Sequence, residues 1–472
     1  MLLAIDQGTT GTTCLVVDDA LAVRGRGYCA LAQSFPRPGW VEHDPEEILG
    51  SVLAAAEEAL AAAGLRANDL GAVGIANQRE TTVLWSRRTG LAVHPAIVWQ
   101  DRRTAERCRE LPFDLIRERT GLVPDPYFSA TKLEWLLTHV EELPEELVFG
   151  TVDSWLAWRL TGGAAHVTDR TNASRTLLFG LDALAWDDEL LALFGVARSL
   201  LPDVRGSMEI VGEVSLLGAT LPLASLAGDQ QAALVGHGCF GAGEAKATYG
   251  TGSFVLVGVG DDRSPAPAGL LKTVAAGGGY ALEGAVLASG AAIQWLRDGL
   301  GVIASAAETE ALAQAVDSTG GVVFVPALAG LGSPHWDADA RGLVSGITGG
   351  TTRSQLVRAA LEGIAFQVAD VLDALDEPPS VLRADGGATA NGFLMQFQAD
   401  VLGCPVEVAA ERETTALGAA VLAGLATGVW SGPDEVRALL RPGATFEPGP
   451  GRDAALEQRE LWRVAVRRAI LR

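Results

Sequence analysis

Twice in 472 residues an apolar strand runs into a turn of glycine and threonine and emerges as a second apolar strand. The first copy reads Leu2-Leu3-Ala4-Ile5, then Asp6-Gln7-Gly8-Thr9-Thr10-Gly11-Thr12-Thr13, then Cys14-Leu15-Val16-Val17. The second reads Ala247-Thr248-Tyr249-Gly250-Thr251-Gly252-Ser253, followed by Phe254-Val255-Leu256-Val257. A hairpin turned on Gly and Thr offers backbone N–H groups and hydroxyls with little side-chain bulk, a concavity suited to phosphate oxygens. Taken singly, either turn reads equally well as a plain loop. Together they predict an internal duplication, with one phosphate-facing hairpin in each half. Asp6, at the end of the first strand, is placed to hold a magnesium ion through its waters.

A chain of this length exceeds what one hydrophobic core usually serves, so two domains are expected, 1–227 and 228–472. Strands alternate with helical patterns throughout, which predicts an α/β protein. Asp44-Pro45 opens a helix, with Asp as N-cap, Pro at the first position and Glu46 and Glu47 in the first turn; Gly64 ends it. Further helices are predicted within 284–301 and over 352–375, 414–426 and 454–471. The net charge of -22 repels phosphate polyanions, so a nucleic-acid or acidic-membrane partner is not expected. An anionic small-molecule substrate needs a metal ion and backbone dipoles to offset that charge. The five cysteines form no C-x-x-C pair and the histidines no H-x-x-x-H pair, which predicts a reducing compartment without disulfides or a zinc site. The uncharged run 318–336 is broken by Pro326 and Pro334 and reads as a buried strand plus loop; Asp6 interrupts the N-terminal apolar run, so neither a membrane span nor a leader is predicted and the expected location is the cytoplasm.

Near the midpoint, Ser225-Leu226-Ala227-Gly228-Asp229-Gln230-Gln231-Ala232-Ala233 sets one carboxylate between two apolar runs. A charge so placed is costly unless something pairs with it. Asp229 is predicted to be a general base facing a cleft between the halves; the plainer alternative is a helix cap. Other polar groups also follow buried strands. Asn77-Gln78-Arg79-Glu80-Thr81-Thr82 succeeds Gly71–Ala76, and Arg79 beside Glu80 supplies the donors and acceptors that grip a polyol. Trp99 and Tyr127 read either as core aromatics or as rings stacked on the C–H face of a polyol, with the Tyr127 hydroxyl bonded to it. The polar run Thr168–Thr176 is expected at an inter-domain or inter-subunit contact. Asp385-Gly386-Gly387-Ala388-Thr389-Ala390-Asn391 joins a strand to a helix; its glycines permit close approach to a nucleotide, and Asn391 is placed to cap the helix and to bond a phosphate or the adenosine.

These blocks, in this order and over nearly the whole chain, resemble the glycerol kinases among the FGGY carbohydrate kinases. Pro38–Pro45, Ile97-Val98-Trp99-Gln100 and Asp125-Pro126-Tyr127-Phe128-Ser129 add to the match, and residues 127–139 fit the family signature with Lys132 and Trp135 at its fixed positions. The resemblance implies two ribonuclease H-like domains, as in actin, hexokinase and the chaperone ATPases, with a central cleft. It implies transfer of the ATP γ-phosphoryl to glycerol with Mg2+, in a homodimer or homotetramer serving glycerol catabolism. It further implies that Arg79, Glu80, Tyr127, Asp229 and Gln230 hold glycerol, that Trp99 and Phe254 wall the pocket, and that Asp229 is the base. Thr9, Thr10, Gly11, Thr251, Gly290, Gln294, Gly387 and Asn391 correspond to ATP-binding positions, and Asp6 and Asp229 to the magnesium side. Two departures stand out. Thr13 occupies a position where relatives often carry a phosphate-contacting Arg, and Ser215–Leu223 has neither the Gly-Thr-Arg loop that binds fructose 1,6-bisphosphate nor a phosphorylatable His. The rival readings are a kinase for another polyol or a ketose such as xylulose, and a non-catalytic actin-like ATPase, which has no use for polyol-gripping residues.

Overall fold

Two mixed sheets share one plan in the computed structural model, which describes residues 1–471. In the first half β1 (Leu2–Gln7), β2 (Gly11–Val17) and β3 (Val23–Ala30) form an antiparallel meander, and α1 (Pro45–Ala63) crosses over to β4 (Ala72–Asn77), parallel to β1. β5 (Gly212–Leu216) and β6 (Ala219–Gly228) complete the order β3-β2-β1-β4-β6-β5, and β6 runs directly into α2 (Asp229–Gly236). The second half repeats the scheme with β7 (Ala245–Tyr249), β8 (Ser253–Gly260), β9 (Leu271–Val274) and β10 (Tyr280–Val286). There α3 (Arg353–Asp373) crosses to β11 (Leu382–Asp385), parallel to β7, and α4 (Gly392–Leu402), β12 (Val406–Ala409), α5 (Thr414–Thr427) and β13 (Pro442–Phe446) follow. Its order is β9-β10-β8-β7-β11-β12-β13. Pairing runs antiparallel, antiparallel, parallel, parallel, antiparallel across β3-β2-β1-β4-β6-β5 and again across β10-β8-β7-β11-β12-β13; β9 is the one addition. The two Gly/Thr hairpins, β1/β2 and β7/β8, occupy equivalent places, so the duplication read from the turns holds in three dimensions.

Local chemistry sets the element ends. Asp44 Oδ1 accepts from the Glu46 N–H at 2.8 Å, and Gly64 closes α1 in the left-handed region. Thr352 and Gln355 cap α3 reciprocally. The helix expected within 284–301 begins only at Gly290, because Gly284 belongs to β10. Within 318–336 only Val323–Val325 is a strand, as a strand plus loop requires. Among the described residues no helix is long and apolar enough to cross a membrane.

The first half carries a long insertion between β4 and β5. Its apolar core, with Leu133, Phe149, Phe179 and Leu190, continues into Leu271, Val274 and Tyr280 of the second half. The Ser174 and Thr273 hydroxyls meet at 2.8 Å across the same seam, so Ser174 of the polar run 168–176 reaches the second half, while Thr168 and Asp169 bond to Asp153 in the first. Helices α2 and α5 also join them. Although α5 follows β12, its Ala416, Ala419, Ala420 and Val421 pack with Leu2, Ala4, Leu15 and Val17 on the first sheet. α2 crosses α5 backbone to backbone: a Cβ on Gly236 would lie 2.0 Å from the Thr414 carbonyl oxygen, and one on Gly418 1.8 Å from that of Ala232. No side chain fits there. Since α2 starts at Asp229, this crossing also fixes that carboxylate.

Gly418→Val is expected to pry the helices apart, lowering stability by about 1–3 kcal/mol or more in urea melts and reducing turnover as Asp229 shifts. Unchanged stability and turnover would show that the crossing is not tight.

Candidate active site

Asp229 is the first residue of α2, and Gly228 holds the N-cap position, so Asp229 is not the helix cap. Its carboxylate is about a quarter exposed, with Oδ1 3.2 Å from Arg79 Nε and accepting the Gln230 N–H at 2.7 Å. The helix N-terminus favours the anion. Arg79, two residues past the end of β4, is buried and fully engaged. Its Nη1 and Nη2 donate to Glu283 Oε2 and Oε1 at 2.6 and 2.9 Å, a fork matched to a carboxylate. Nη2 also reaches the Tyr127 hydroxyl at 3.3 Å. Glu80 is buried as well, with its backbone in the left-handed region at φ 63°, a strained setting for a residue with a side chain. Its carbonyl accepts from the Thr82 and Ser129 hydroxyls, and its Oε1 accepts from Arg175 Nε at 2.5 Å. Arg175 lies over the Tyr127 ring and sets Nη2 3.3 Å from Glu283 Oε1.

The result is a buried ionic chain, Glu80–Arg175–Glu283–Arg79–Asp229. It crosses the seam, because Glu283 stands on β10 of the second half while both arginines belong to the first. Burial works against ionisation of Glu283, yet Arg175 and Arg79 outweigh it and hold the carboxyl down to about 2. At Glu80 burial wins and the carboxyl is raised, with Arg175 and Arg79 limiting the rise. Burial, followed by the Glu80 charge, pushes the Tyr127 phenol up.

Of the other residues expected on the acceptor side, Trp99 stands edge-on to Tyr127 with ring centres 5.4 Å apart, and its Nε1 donates to Thr9 Oγ1 at 2.8 Å. One indole thus ties Tyr127 to the first hairpin. Gln230 follows Asp229 on α2, and its Oε1 accepts from Lys246. Phe254, on β8, packs with Leu234, Leu256 and Ala275, and its cross-strand register puts it on the sheet face that carries Lys246, Thr248 and Glu283.

On the other side a cavity of about 450 Å3 is lined by Thr251, Gly290, Gln294, Gly387 and Asn391. Thr9, Thr10 and Gly11 stand apart from it, on the hairpin of the first half. Gly386 has φ 93°, and a Cβ there would lie 2.5 Å from the Tyr249 carbonyl oxygen, whereas a Cβ on Gly387 would meet open space. Only a glycine lets Gly386 pack, and Gly387 leaves the cavity wall bare. Asn391 caps α4, accepting the Leu394 N–H at 2.9 Å and donating to Thr309 Oγ1 at 3.0 Å.

Burial raises the Asp6 carboxyl, and Asp229, Glu413 and Asp385 raise it further. No cation pairs with Asp6 among the described residues, and no group of three or more His, Cys, Asp or Glu side chains forms a metal cage. Such an acid set does not fit a protein-built metal site. Carboxylates of this kind suit a hard cation that brings most of its own oxygen ligands. Thr13 lies beside these acids, in cross-strand register with Asp6 and Tyr28.

The sequence left Glu283, Arg175 and Lys246 unassigned. Glu283 gave the signal that singled out Asp229, a lone charge inside an apolar run, whereas Glu244 stands two residues before Lys246; nothing nearby in sequence names the partners of either.

Residues 1–236 match the N-terminal domain of the FGGY family of carbohydrate kinases, and residues 245–427 match its C-terminal domain. The chain belongs to this family. It is 53% identical to a glycerol kinase of Leptothrix cholodnii, an alignment covering 99% of each protein, and 49% identical to glycerol kinase 2 of Thermotoga maritima over 99% of this chain and 98% of that one. The crystal structure of Plasmodium falciparum glycerol kinase with ADP superposes with a TM-score of 0.92 at 35% identity, covering 100% of this chain and 98% of that one. A xylulose kinase from Rhodospirillum rubrum superposes at 0.86 with 27% identity, covering 98% and 97%. The two-domain α/β architecture of the FGGY kinases, of the actin and hexokinase type, is therefore the fold of this chain.

In this FGGY kinase the ionic chain carries a pH signature. Glu283 ionises at about 2 when folded, against an ordinary 4.5. As pH falls from 4.5 toward 2 the unfolded chain takes up a proton that the folded chain does not, so stability drops across that window. Glu283→Gln is expected to cost ~3–5 kcal/mol at neutral pH, since it leaves buried cations unpaired. Thermal melts should also show a shallower acid slope for the variant than for the wild type. Equal slopes would mean that Glu283 is not held ionised by the arginines.

Proposed function

We infer that this protein phosphorylates glycerol, moving the γ-phosphoryl group of ATP to a terminal hydroxyl to give sn-glycerol 3-phosphate and ADP. The observation that carries the reading is the near-end-to-end identity of about half the residues with glycerol kinases, 49% and 53% over 99% of the chain. Fold alone does not choose the acceptor, because a xylulose kinase superposes almost as well; its identity is much lower, at 27%.

Asp229 serves as general base. Arg79 Nε and the Gln230 N–H both engage Oδ1, and Oδ2 accepts no hydrogen bond among the described residues, so Oδ2 takes the hydroxyl proton as the phosphoryl group arrives. Arg79, Glu80, Tyr127 and Gln230 hold glycerol beside it, and Trp99 and Phe254 wall the pocket. Because the ionic chain fixes Arg79 and Glu80 beforehand, little reorganisation is needed when glycerol binds. ATP lies in the cavity of the second half, against Thr251, Gly290, Gln294, Gly387 and Asn391. Its terminal phosphates reach the N–H groups and hydroxyls of Thr9, Thr10 and Gly11. Asp6 and Asp229 would hold a magnesium ion, which would supply charge neutralisation for the phosphate oxygens. Closing the halves, divided at residues 227 and 228 where β6 ends, excludes water and limits wasteful hydrolysis.

Incubation with ATP and a panel of polyols and ketoses is expected to show ADP release that depends on glycerol and is far slower with xylulose. Release that ignores the acceptor would replace this reading with an ATPase. Asp229→Asn is expected to lower turnover ~100-fold or more while glycerol still binds by calorimetry. Normal turnover in that variant would remove Asp229 from the role of base.

A further inference from the structure

Lys246 is the second residue of β7, between two alanines, and is fully buried. Strand alternation sends Ala245, Ala247 and Tyr249 into the apolar core of the second half and puts Lys246 and Thr248 on the opposite face, toward α2. The Lys246 ammonium donates to Gln230 Oε1 and, at 2.8 Å, to Thr248 Oγ1. No carboxylate lies within ion-pair distance of it among the described residues. Burial pushes this lysine down to about 8, and the more distant charges of Asp385, Asp229 and Glu283 oppose the shift. A buried cation held by two neutral oxygens is costly, and a methionine would fill the same space without that cost.

What the ammonium contributes is visible at Gln230. A glutamine amide is nearly symmetric in shape, and flipping it exchanges a donor for an acceptor. With Lys246 on Oε1 the flip is closed off, because it would press an NH2 group against an NH3+ group. Gln230 Nε2 has no hydrogen-bond partner among the described residues and is not sealed away from solvent. The side chain beside Asp229 therefore always presents a donor to the cleft, next to the acceptor oxygen of Asp229.

We propose that Lys246 is a positioning residue for the acceptor alcohol: it locks the Gln230 amide so that its NH2 group donates to a hydroxyl oxygen while Asp229 accepts a hydroxyl proton. The proposal rests on the reading of Gln230 as a glycerol-binding residue. It makes the site selective for a molecule with hydroxyls matched to an adjacent donor and acceptor.

A double-mutant cycle tests it, with Lys246→Met, Gln230→Met and the double variant assayed for glycerol and ATP separately. Each single change is expected to raise the glycerol KM about tenfold, the loss of one substrate hydrogen bond, with the ATP KM within about twofold. The double variant should be no worse than either single one. If Gln230→Met raises the glycerol KM and Lys246→Met does not, or if the two effects multiply, the proposal is overturned and the glycerol reading stands. If Gln230→Met leaves the glycerol KM unchanged, the assignment of Gln230 falls and the proposal with it. A merely structural lysine would lower Tm and the active fraction, hence apparent kcat, without moving either KM. Should Lys246→Met fail to fold, Thr248→Val takes its place. Loosening the ammonium's second anchor is then expected to raise the glycerol KM about two- to fivefold, and an unchanged KM overturns the proposal.

Discussion

The guanidinium of Arg79, forked onto Glu283 and facing Asp229, is the contact on which the arrangement of the two halves depends. A cation taken out of water is tolerated only where its donors are met, and here Glu283, Asp229, Tyr127 and Gln231 meet them. Because Glu283 arrives on a strand of the second half, Arg79 is satisfied only when the halves sit in one register. The same pairing explains the backbone of Glu80. Its left-handed conformation persists because two hydroxyls grip its carbonyl and Arg175 grips its carboxylate. Strain at Glu80 and charge at Arg79 are thus parts of one constraint, placed where the acceptor is to be aligned.

Duplicated sheets give the cleft its near-symmetry, and insertions break it. Each sheet brings one Gly/Thr hairpin to the seam, a natural way to hold a chain of phosphates from both sides. The first half adds the long lobe that carries Trp99, Tyr127 and Arg175 and closes the acceptor side. The second half adds the elements around Gly290, Gln294 and Thr309 that open a cavity for a nucleotide. Asp6, Asp229 and Asp385 would repel phosphate on their own. The buried ammonium of Lys246 offsets part of that concentration of negative charge, and on the proposed reading a cation travelling with the nucleotide would offset the rest. Chemistry follows from what the insertions deliver to a shared scaffold.

How far the sequence reached depended on whether the cause was local. The hairpin turns, the Asp44 and Asn391 caps and the Asp229 position could be read because their reasons lie within a few residues. The isolation of Asp229 between apolar runs announced a partner, and the structure supplies Arg79. What sequence could not name was the pairing itself: Arg79 and Glu283 are 204 residues apart, and Arg175 and Glu80 are 95 apart. Arg175 lay in a dense polar run where no single side chain stood out. Gly236 and Gly418 looked like ordinary helix glycines, since the crossing that requires them joins segments far apart in the chain. Phe254 was carried over from the family resemblance alone, and its place on the sheet face of Lys246 and Glu283 is a fact only three dimensions reveal.

The most direct test of this account is a crystal structure of the protein with glycerol, magnesium and a non-hydrolysable ATP analogue bound together. The account predicts a terminal glycerol hydroxyl about 2.6–3.2 Å from Asp229 Oδ2, in line with the γ-phosphorus, and an intact Arg79–Glu283 fork beneath it. A glycerol seated elsewhere, with Asp229 turned to bulk solvent, would contradict it.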